Sequence, residues 1–211
     1  MSPPTPTSIA LINGCYFDHL APDPAKIDLD VIAAGLRQSR FNAQTIRLIT
    51  IAEHSMRVCR IVIELTREWM SPEIRDAMIW ALIHDAHEAL VPWGDCLRPG
   101  KTDAMREVES AVDVCVCTAI VGWPCSPPDA VLAIVKTADD IALYFEAMLW
   151  GGPLARDWAP PIMLTTIETA TMHDPDGVLV TEPGQLVEWM MPLVEPRPGE
   201  CWRTEVEELL S

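Results

Sequence analysis

Basic residues are scarce in this chain of 211 residues, which has 15 Lys and Arg against 31 Asp and Glu and a formal net charge of −16. Proteins that follow a nucleic-acid backbone need clustered Lys and Arg to neutralise the phosphates. Long apolar runs are missing too, since the stretch 114–123 is about half of the roughly 18 residues that a membrane span needs. The composition therefore argues against a nucleic-acid polymer and against a membrane as partners.

Targeting signals are also missing. The first 25 residues contain several prolines but no Lys or Arg and no apolar core, so they are typical of neither a secretory signal nor a transit peptide. The seven cysteines, an odd number, are expected as free thiols in a reducing cytosol. Cys115 and Cys117 lack the two-residue gap of a zinc knuckle, which favours core packing. We therefore expect a cytoplasmic protein.

What is present is enough apolar surface for one folded domain, because 49% of the residues are hydrophobic and eight are Trp. Asn13-Gly14 between two apolar stretches predicts an N-terminal β-hairpin. Capping residues and the Pro and Gly breakers then predict a mainly α chain, with helices at about 28–38, 45–70, 71–90, 102–121, 127–150, 185–193 and 203–210. We expect residues 1–150 to form the core and residues 151–211 to form a C-terminal elaboration packed on the same domain.

Two histidines lie in strongly apolar helical stretches. His54 shares a helix face with Val58, Ile61 and Leu65, which places it on the buried side; taken alone, it is also explained as an ordinary core histidine. His84-Asp85 follows the apolar run 79–83, where burying an imidazole beside a carboxylate is costly unless the two share a partner. Adjacent helical residues diverge by about 100° and do not easily bond each other. A cation between helices is the partner that both side chains can share.

A third helix supplies two acids inside another apolar stretch, Asp139 and Asp140. Asp139 is favoured as the inward one, because it shares a stripe with Val135, Ala142 and Glu146. Two His and two Asp from three helices form a plausible site for one divalent metal ion in a bundle core. Glu146 is a weaker candidate for contact with these ligands. His87 lies off the face of His84 and Glu88 and is left out.

The order His54, His84-Asp85, Asp139 resembles the H…HD…D signature of the HD-domain metal-dependent phosphohydrolases. The segments AEHS at 52–55, LIHDAHEAL at 82–90 and VKTADD at 135–140 carry this resemblance. The stretches at 14–18, 22–24, 30–33 and 40–45 are similar to a narrower group, the phage dATP triphosphohydrolases and bacterial 5′-deoxynucleotidases. The resemblance covers roughly residues 8–150. It implies an HD-domain helical bundle, a homo-oligomer, and the cytosol of a bacterium or a phage-infected host.

The resemblance also implies roles for single residues. It makes His54, His84, Asp85 and Asp139 the ligands of a divalent metal ion, which is Zn, Co, Mn, Fe or Mg. Glu88, one helical turn after His84, would act in catalysis by orienting water or moving its proton, although a solvated helix-end acid is the alternative. Asp95 would support catalysis, in a loop that departs from the family pattern because it is two residues longer.

The same resemblance implies the substrate contacts. Arg40 would bind phosphate and Phe41 would face the deoxyribose, unless they are a surface Arg beside a core Phe. Gln44 would contact a base or sugar edge. In the loop, Lys101 and Arg98 would face phosphate, and Trp93 would stack on the base or cap the pocket.

The function expected from this resemblance is hydrolysis of a deoxynucleotide. A dNTP triphosphohydrolase with dATP as first substrate would release triphosphate and a deoxynucleoside after water attacks the α-phosphorus. A deoxynucleoside 5′-monophosphatase at the same site is the nearer alternative. A non-catalytic nucleotide-binding HD module is the alternative from another class, and the presence of Glu88 argues against it.

Overall fold

The computed structural model describes residues 4–66, 71–96, 100–123, 127–151, 172–173, 179–180 and 198–211. The chain is mainly α, as predicted, with an N-terminal hairpin of β1 and β2 and a second short pair of β3 and β4. The strands are β1 Ser8–Ala10, β2 Tyr16–Asp18, β3 Met172–His173 and β4 Leu179–Val180. The helices are α1 Leu29–Gly35, α2 Ile51–Leu65, α3 Ser71–Ile83, α4 Asp103–Val116, α5 Asp129–Trp150 and α6 Pro198–Leu210. No helix among these described residues is long and apolar enough to cross a membrane.

The N-terminal hairpin forms where the Asn-Gly turn predicts it. β1 and β2 are antiparallel with Ile9 opposite Phe17, and Gly14 has the positive φ of 82° that this turn needs. The side-chain oxygen of Asn13 accepts a hydrogen bond from the Cys15 N–H at 3.1 Å. Phe17 is fully buried, so the hairpin is anchored to the helical core by its inward-facing aromatic ring.

Helix α2 is the centre of the core. Thr50 and Glu53 form a capping box that fixes its first turn, because each side chain accepts from the other residue's backbone N–H. Along the helix, His54, Val58 and Ile61 are all fully buried, as the apolar stripe predicts. α2 packs against α3, α5 and α6, so every polar group on its inner face needs a partner from one of these helices.

Helix α3 ends earlier than the sequence predicts. We expected it to continue to about Leu90, but it ends at Ile83, and Asp85 has φ −104° and ψ 12°, outside the helical range. The chain then continues as a 3-10 turn over Ala86–Ala89. The tighter 3-10 turn rotates the side chains after Asp85 relative to an α-helix, and this changes the surroundings of His87 and Glu88.

Other elements also begin or end at residues different from those predicted. The helix predicted at 45–70 begins only at Ile51, after the capping residue Thr50. The predicted helix 102–121 is α-helical only to Val116 and ends in a π-turn, Cys117–Val121, which Gly122 closes with a φ of 78°. The predicted helix 203–210 begins earlier, at Pro198. Its Trp202 is fully buried and donates to the Leu82 carbonyl at 2.6 Å. The predicted helix 185–193 lies outside the described residues.

Candidate metal centre

The structure brings the predicted metal ligands together from three helices. His54 lies on α2, His84 and Asp85 follow the end of α3, and Asp139 lies on α5. The Nε2 atom of His54 is 3.2 Å from Asp139 Oδ1 and 3.6 Å from Asp85 Oδ2, and His84 Nε2 is 3.4 Å from the same Asp85 oxygen. Ligand atoms of His54, His84 and Asp85 all lie within 4.8 Å of one another. This spacing is that expected of donor atoms arranged around one metal ion with metal–donor bonds of about 2 Å.

Both histidines are oriented by acceptors on the side away from the cluster. His84 Nδ1 is 2.8 Å from the carbonyl oxygen of Ala81, and a carbonyl only accepts, so Nδ1 carries the hydrogen. His54 Nδ1 is 3.1 Å from Glu146 Oε1. An imidazole that donates from Nδ1 presents the Nε2 lone pair to the cluster, which is the tautomer of a metal-ligating histidine. His84 Nε2 is buried and has no hydrogen-bond partner among the described residues, so the residues present fit a metal ion.

The charges of the cluster favour a cation. Burial raises the pKa of Asp85 and of Asp139, but neighbouring His84, His54 and Arg40 outweigh burial and hold both pKa values below the usual range. For His54, burial and Arg40 lower the pKa, but Glu146 and Asp139 outweigh them and raise it to about 9. The second ring proton of His54, on Nε2, is therefore favoured at neutral pH when no metal is bound, and a metal ion would displace it to use the Nε2 lone pair.

Glu146 is the buried acid that supports the cluster. Its Oε1 accepts from Arg57 Nη1 at 2.7 Å, and its Oε2 is 3.2 Å from Arg40 Nε. Glu146 and Arg57 are fully buried. Burial raises the pKa of Glu146, but His54, Arg40 and Arg57 lower it to about 2. Glu146 was predicted near the ligands, whereas Arg57 was not, because its only signal in the sequence is its position three residues after His54.

Glu88 lies beside the cluster, although in a 3-10 turn and not at the α-helical spacing from His84 that we predicted. Its side chain is buried, and Oε2 has no hydrogen-bond partner among the described residues. Burial, followed by the charges of Asp85 and Asp95, raises the pKa of Glu88 to about 8. Glu88 is therefore a buried carboxyl that exchanges its proton near neutral pH, in contrast to the solvated acid of the alternative interpretation.

His87 belongs to the same region, which the sequence analysis did not foresee. An ideal α-helix turns its side chain away from Glu88, but in the 3-10 turn a ring nitrogen of His87 lies within 4.8 Å of ligand oxygens of Asp85 and Glu88. Nδ1 of His87 is 2.9 Å from Asp113 Oδ1 on α4. Burial lowers the pKa of His87, but Asp113, Glu88 and Asp85 raise it to about 9.

The substrate residues predicted in the segment 40–45 differ from one another in their surroundings. Arg40 is buried and donates from Nη1 to Asp85 Oδ2 at 3.1 Å, so its guanidinium is an integral part of the cluster. Phe41 is half-buried, and the Arg40 guanidinium lies 5.5 Å from the centre of its ring. Gln44 is exposed and contributes a backbone N–H to the Phe41 carbonyl at 2.9 Å. The structure thus brings Arg40 into the metal cluster, places the Phe41 ring against the Arg40 guanidinium, and leaves the Gln44 side chain at the surface.

The predicted substrate residues of the loop converge on an acid of α4. Glu109 Oε1 accepts from Trp93 Nε1 at 2.9 Å, and Glu109 Oε2 accepts from Lys101 Nζ at 3.1 Å. Asp95 Oδ2 accepts from the backbone N–H of Phe41 at 2.9 Å. Glu109 was not singled out in the sequence, because nothing in a helix surface pattern shows which loop a carboxylate will meet. Arg98 lies outside the described residues.

A cleft of about 320 Å³ opens onto the metal cluster between α3 and α5. Its apolar walls are Trp80, Leu132 and Val135, and Lys136 stands with them. His84, Asp85 and Asp139 also line it. A ligand that reaches the cluster through this cleft would contact these apolar side chains as well as the ligands, a combination typical of small-molecule sites.

The fold that carries these residues on α2, at the end of α3 and on α5 is similar to that of a solved HD phosphohydrolase. One solved structure with this likeness is the cyanophage S-2L HD phosphohydrolase DatZ, described as bound to dA and one catalytic Zn²⁺ ion. The two chains share a TM-score of 0.53 and 18% sequence identity, over 87% of this chain and 96% of that chain. No protein-family model and no curated protein matches this chain. The likeness confirms the helical HD-domain bundle predicted from the sequence.

The raised pKa of Glu88 predicts that wild type and a Glu88→Gln variant differ in stability by an amount that depends on pH. Between its ordinary pKa of 4.5 and the folded value of about 8, the folded chain retains a proton that the unfolded chain releases. The free energy of unfolding of the metal-free protein should therefore fall as the pH rises through this window. Glu88→Gln cannot ionise and should escape that loss, so its melting temperature should rise relative to wild type between about pH 5 and about pH 9.

Thermal unfolding in the presence of a chelator measures this difference. His54 titrates in both proteins, so its contribution cancels in the comparison. Glu88 also raises the pKa of His87, so the comparison is repeated in a His87→Gln background, which removes the contribution of that histidine. An offset between the two melting temperatures that stays constant with pH would show that Glu88 ionises normally in the folded chain.

Proposed function

We propose that this protein is a metal-dependent phosphohydrolase that acts on deoxynucleotides, and that a dNTP, dATP first, is its substrate. The observation that carries the proposal is the pair of histidines whose Nδ1 atoms face Glu146 and the Ala81 carbonyl at 3.1 and 2.8 Å, which leaves each Nε2 directed at the carboxylates of Asp85 and Asp139. Two imidazole Nε2 atoms directed at the same Asp85 oxygen, 3.6 and 3.4 Å away, are more than a structural core histidine needs. DatZ, the solved structure of similar fold, is described with a catalytic zinc ion and dA, and this supports both parts of the proposal.

Four side chains would hold the metal ion: His54, His84, Asp85 and Asp139. Their nitrogen and oxygen donors suit Zn, Co, Mn or Fe better than Mg. When bound, such an ion polarises a phosphoryl oxygen and lowers the pKa of water. The negative charge of the two carboxylates would be neutralised locally, so that a chain of net charge −16 still admits an anionic substrate. Arg40, held at Asp85, adds positive charge on the protein side of the cluster.

Glu88 would orient the attacking water and take up its proton. A general base works best when its pKa lies near the operating pH, and burial together with Asp85 and Asp95 raises the pKa of Glu88 to about 8. Its buried Oε2 has no hydrogen-bond partner among the described residues, so one oxygen is available to a water molecule. The same carboxyl, once protonated, would supply a proton to the leaving oxygen.

The cleft between α3 and α5 is the route by which we propose the nucleotide reaches the metal. Its volume of about 320 Å³ is at the lower end of the range for small-molecule sites. The apolar side chains of Trp80, Leu132 and Val135 would contact the sugar or the base, while the phosphates meet the cluster. Lys136, whose Nζ is 3.9 Å from Asp139 Oδ2 and which also binds Asp140, would meet phosphate oxygens at the cleft.

A panel of all dNTPs and dNMPs with Zn, Co, Mn, Fe and Mg, with the products separated by chromatography, tests the proposal. Triphosphate and deoxynucleoside released from a dNTP are the expected products. Orthophosphate released from a dNMP alone would instead establish the 5′-monophosphatase. We expect Glu88→Gln to bind metal as wild type does and to lose about 10²- to 10⁴-fold in turnover. A protein that binds nucleotides but hydrolyses none with any metal would refute the enzymatic proposal.

A further inference from the structure

A left-handed turn lies between the metal cluster and the surface. Phe41, Asn42 and Ala43 have φ values of 54°, 51° and 58°. Residues with a Cβ atom adopt this backbone conformation only at an energetic cost, and a run of such residues is rarer than a single one. Strained backbone of this kind persists where the surrounding structure holds it, and it is found preferentially at functional sites.

Asp95 holds the first residue of this turn. Its Oδ2 accepts the backbone N–H of Phe41 at 2.9 Å, and the Phe41 carbonyl accepts the N–H of Gln44 at 2.9 Å. On either side, the Arg40 N–H donates to the Ile49 carbonyl at 2.8 Å and the Ile46 N–H donates to the Trp150 carbonyl at 2.7 Å. The ends of the turn are thus fixed by other backbone, and Asp95 is the side chain that fixes its start.

The turn determines where Arg40 points. Arg40 immediately precedes Phe41, and its Nη1 donates to Asp85 Oδ2 at 3.1 Å while its Nε lies 3.2 Å from Glu146 Oε2. The Phe41 N–H belongs to the peptide bond that follows Arg40, so the Asp95 contact also restrains the backbone of Arg40. Asp95 is therefore connected to the metal cluster through the Phe41 amide and the Arg40 guanidinium.

A second contact fastens the same two segments. Gly94 has a φ of 54°, and a Cβ atom added to it would lie 2.4 Å from Gln38 Oε1. The Nε2 atom of Gln38 donates to the Glu88 carbonyl at 3.3 Å. The loop that carries Glu88 and Asp95 is thus attached to residues 38–41 at two points, so the position of Asp95 relative to Phe41 is well defined.

The family resemblance implies that Asp95 supports catalysis; we propose that it does so as a positioning residue, which holds the Phe41 turn and through it Arg40, and not as an acid or base. Only the kinetic part of this proposal rests on the proposed function. The part that concerns the Phe41 amide rests on the contact at 2.9 Å.

Asp95→Asn and Asp95→Ala distinguish the two roles. Asn keeps a carbonyl oxygen that accepts the Phe41 N–H but has no acid-base function, whereas Ala loses both. We expect the Phe41 amide to remain protected from hydrogen exchange in Asp95→Asn and to lose protection in Asp95→Ala. We expect kcat/KM to stay within about 5-fold of wild type for Asp95→Asn and to fall by about 10- to 100-fold for Asp95→Ala, mainly through KM.

A second-site variant keeps the proposal falsifiable if Asp95→Ala is poorly folded. Glycine adopts the left-handed region without cost, so Asn42→Gly alone should leave kcat/KM unchanged. In the Asp95→Ala background, it should restore part of kcat/KM by relieving the strain of the turn, while the Phe41 amide, whose acceptor is gone, stays unprotected.

Two results would overturn the proposal. The first is an Asp95→Asn variant that is as inactive as Asp95→Ala although its own Phe41 amide is protected. The second is a Phe41 amide whose hydrogen exchange does not change in Asp95→Ala. If the wild-type protein hydrolyses no nucleotide, the proposed function fails, and the exchange measurement still decides the role of Asp95.

Discussion

Asp139→Ala should lose the bound metal ion and at least about 10³-fold of the hydrolytic rate, while Asp140→Ala should keep both. The two acids are neighbours on α5, but Asp139 Oδ1 lies 3.2 Å from His54 Nε2 inside the cluster, whereas Asp140 binds Lys136. Removing a ligand removes several kcal/mol of Lewis-acid stabilisation of the transition state, and about 4 kcal/mol corresponds to a thousandfold in rate.

Metal content after dialysis, measured by plasma mass spectrometry, and steady-state hydrolysis test this pair of variants. The adjacent position makes Asp140→Ala a close control, because both variants remove one acid from the same helical turn. Metal loss in Asp140→Ala with retention in Asp139→Ala would reverse the assignment of the inward acid. Wild-type metal content in both variants would mean that neither of these acids of α5 is a ligand.

The helical stripe of α5 explains why Asp139 could be predicted. Along an α-helix, residues four and seven positions apart share a face, so the apolar Val135 and Ala142 mark the side to which Asp139 and Glu146 also belong. The structure places both acids in the buried cluster around His54. Where a regular helix continues through a site, hydrophobic periodicity alone therefore identifies which polar side chains point inward.

The same reasoning failed after His84, because the α-helix stops. Periodicity assumes 3.6 residues per turn, but the chain tightens to a 3-10 turn over Ala86–Ala89, and His87 then joins Asp85 and Glu88 near the cluster. HDAHEAL contains no proline or glycine, and Asp85, which precedes the turn, makes no capping hydrogen bond with its side chain. The irregular backbone is held by tertiary contacts, such as His87 to Asp113 and Gln38 to the Glu88 carbonyl, which a local pattern does not contain.

Contacts between residues distant in the sequence could not be predicted either. Lys101 was predicted to face phosphate, but in the structure it binds Glu109, and a phosphate would have to compete with that carboxylate for it. Arg57 and Glu146 are 89 positions apart and meet because α2 packs against α5. The charge pattern shows that such groups need partners, but only the packing of the helices shows which partners they find.

Glu146→Ala should lower both the stability of the fold and its affinity for metal. The substitution leaves Arg57 and Arg40 buried without their shared carboxylate, and it leaves His54 Nδ1 without its acceptor. Breaking a buried ion pair by removing one partner costs about 3–5 kcal/mol. For a domain of this size, that should lower the melting temperature by about 10 °C. Loss of the group that orients a metal-ligating histidine should weaken metal binding by about 10- to 100-fold.

Glu146→Gln separates these two effects, because it keeps an oxygen that accepts from His54 Nδ1 but removes the charge that Arg57 and Arg40 require. It should therefore lower the melting temperature as Glu146→Ala does, yet bind metal more tightly than Glu146→Ala. Glu207→Ala, which removes an exposed partner of Arg203 on α6, should leave both quantities unchanged, since exposed ion pairs contribute little. Calorimetric titration with Zn²⁺ and thermal unfolding measure both quantities. If Glu146→Ala bound metal as tightly as wild type, the orientation of His54 would not depend on Glu146, and the tautomer that supports the metal site would need another cause.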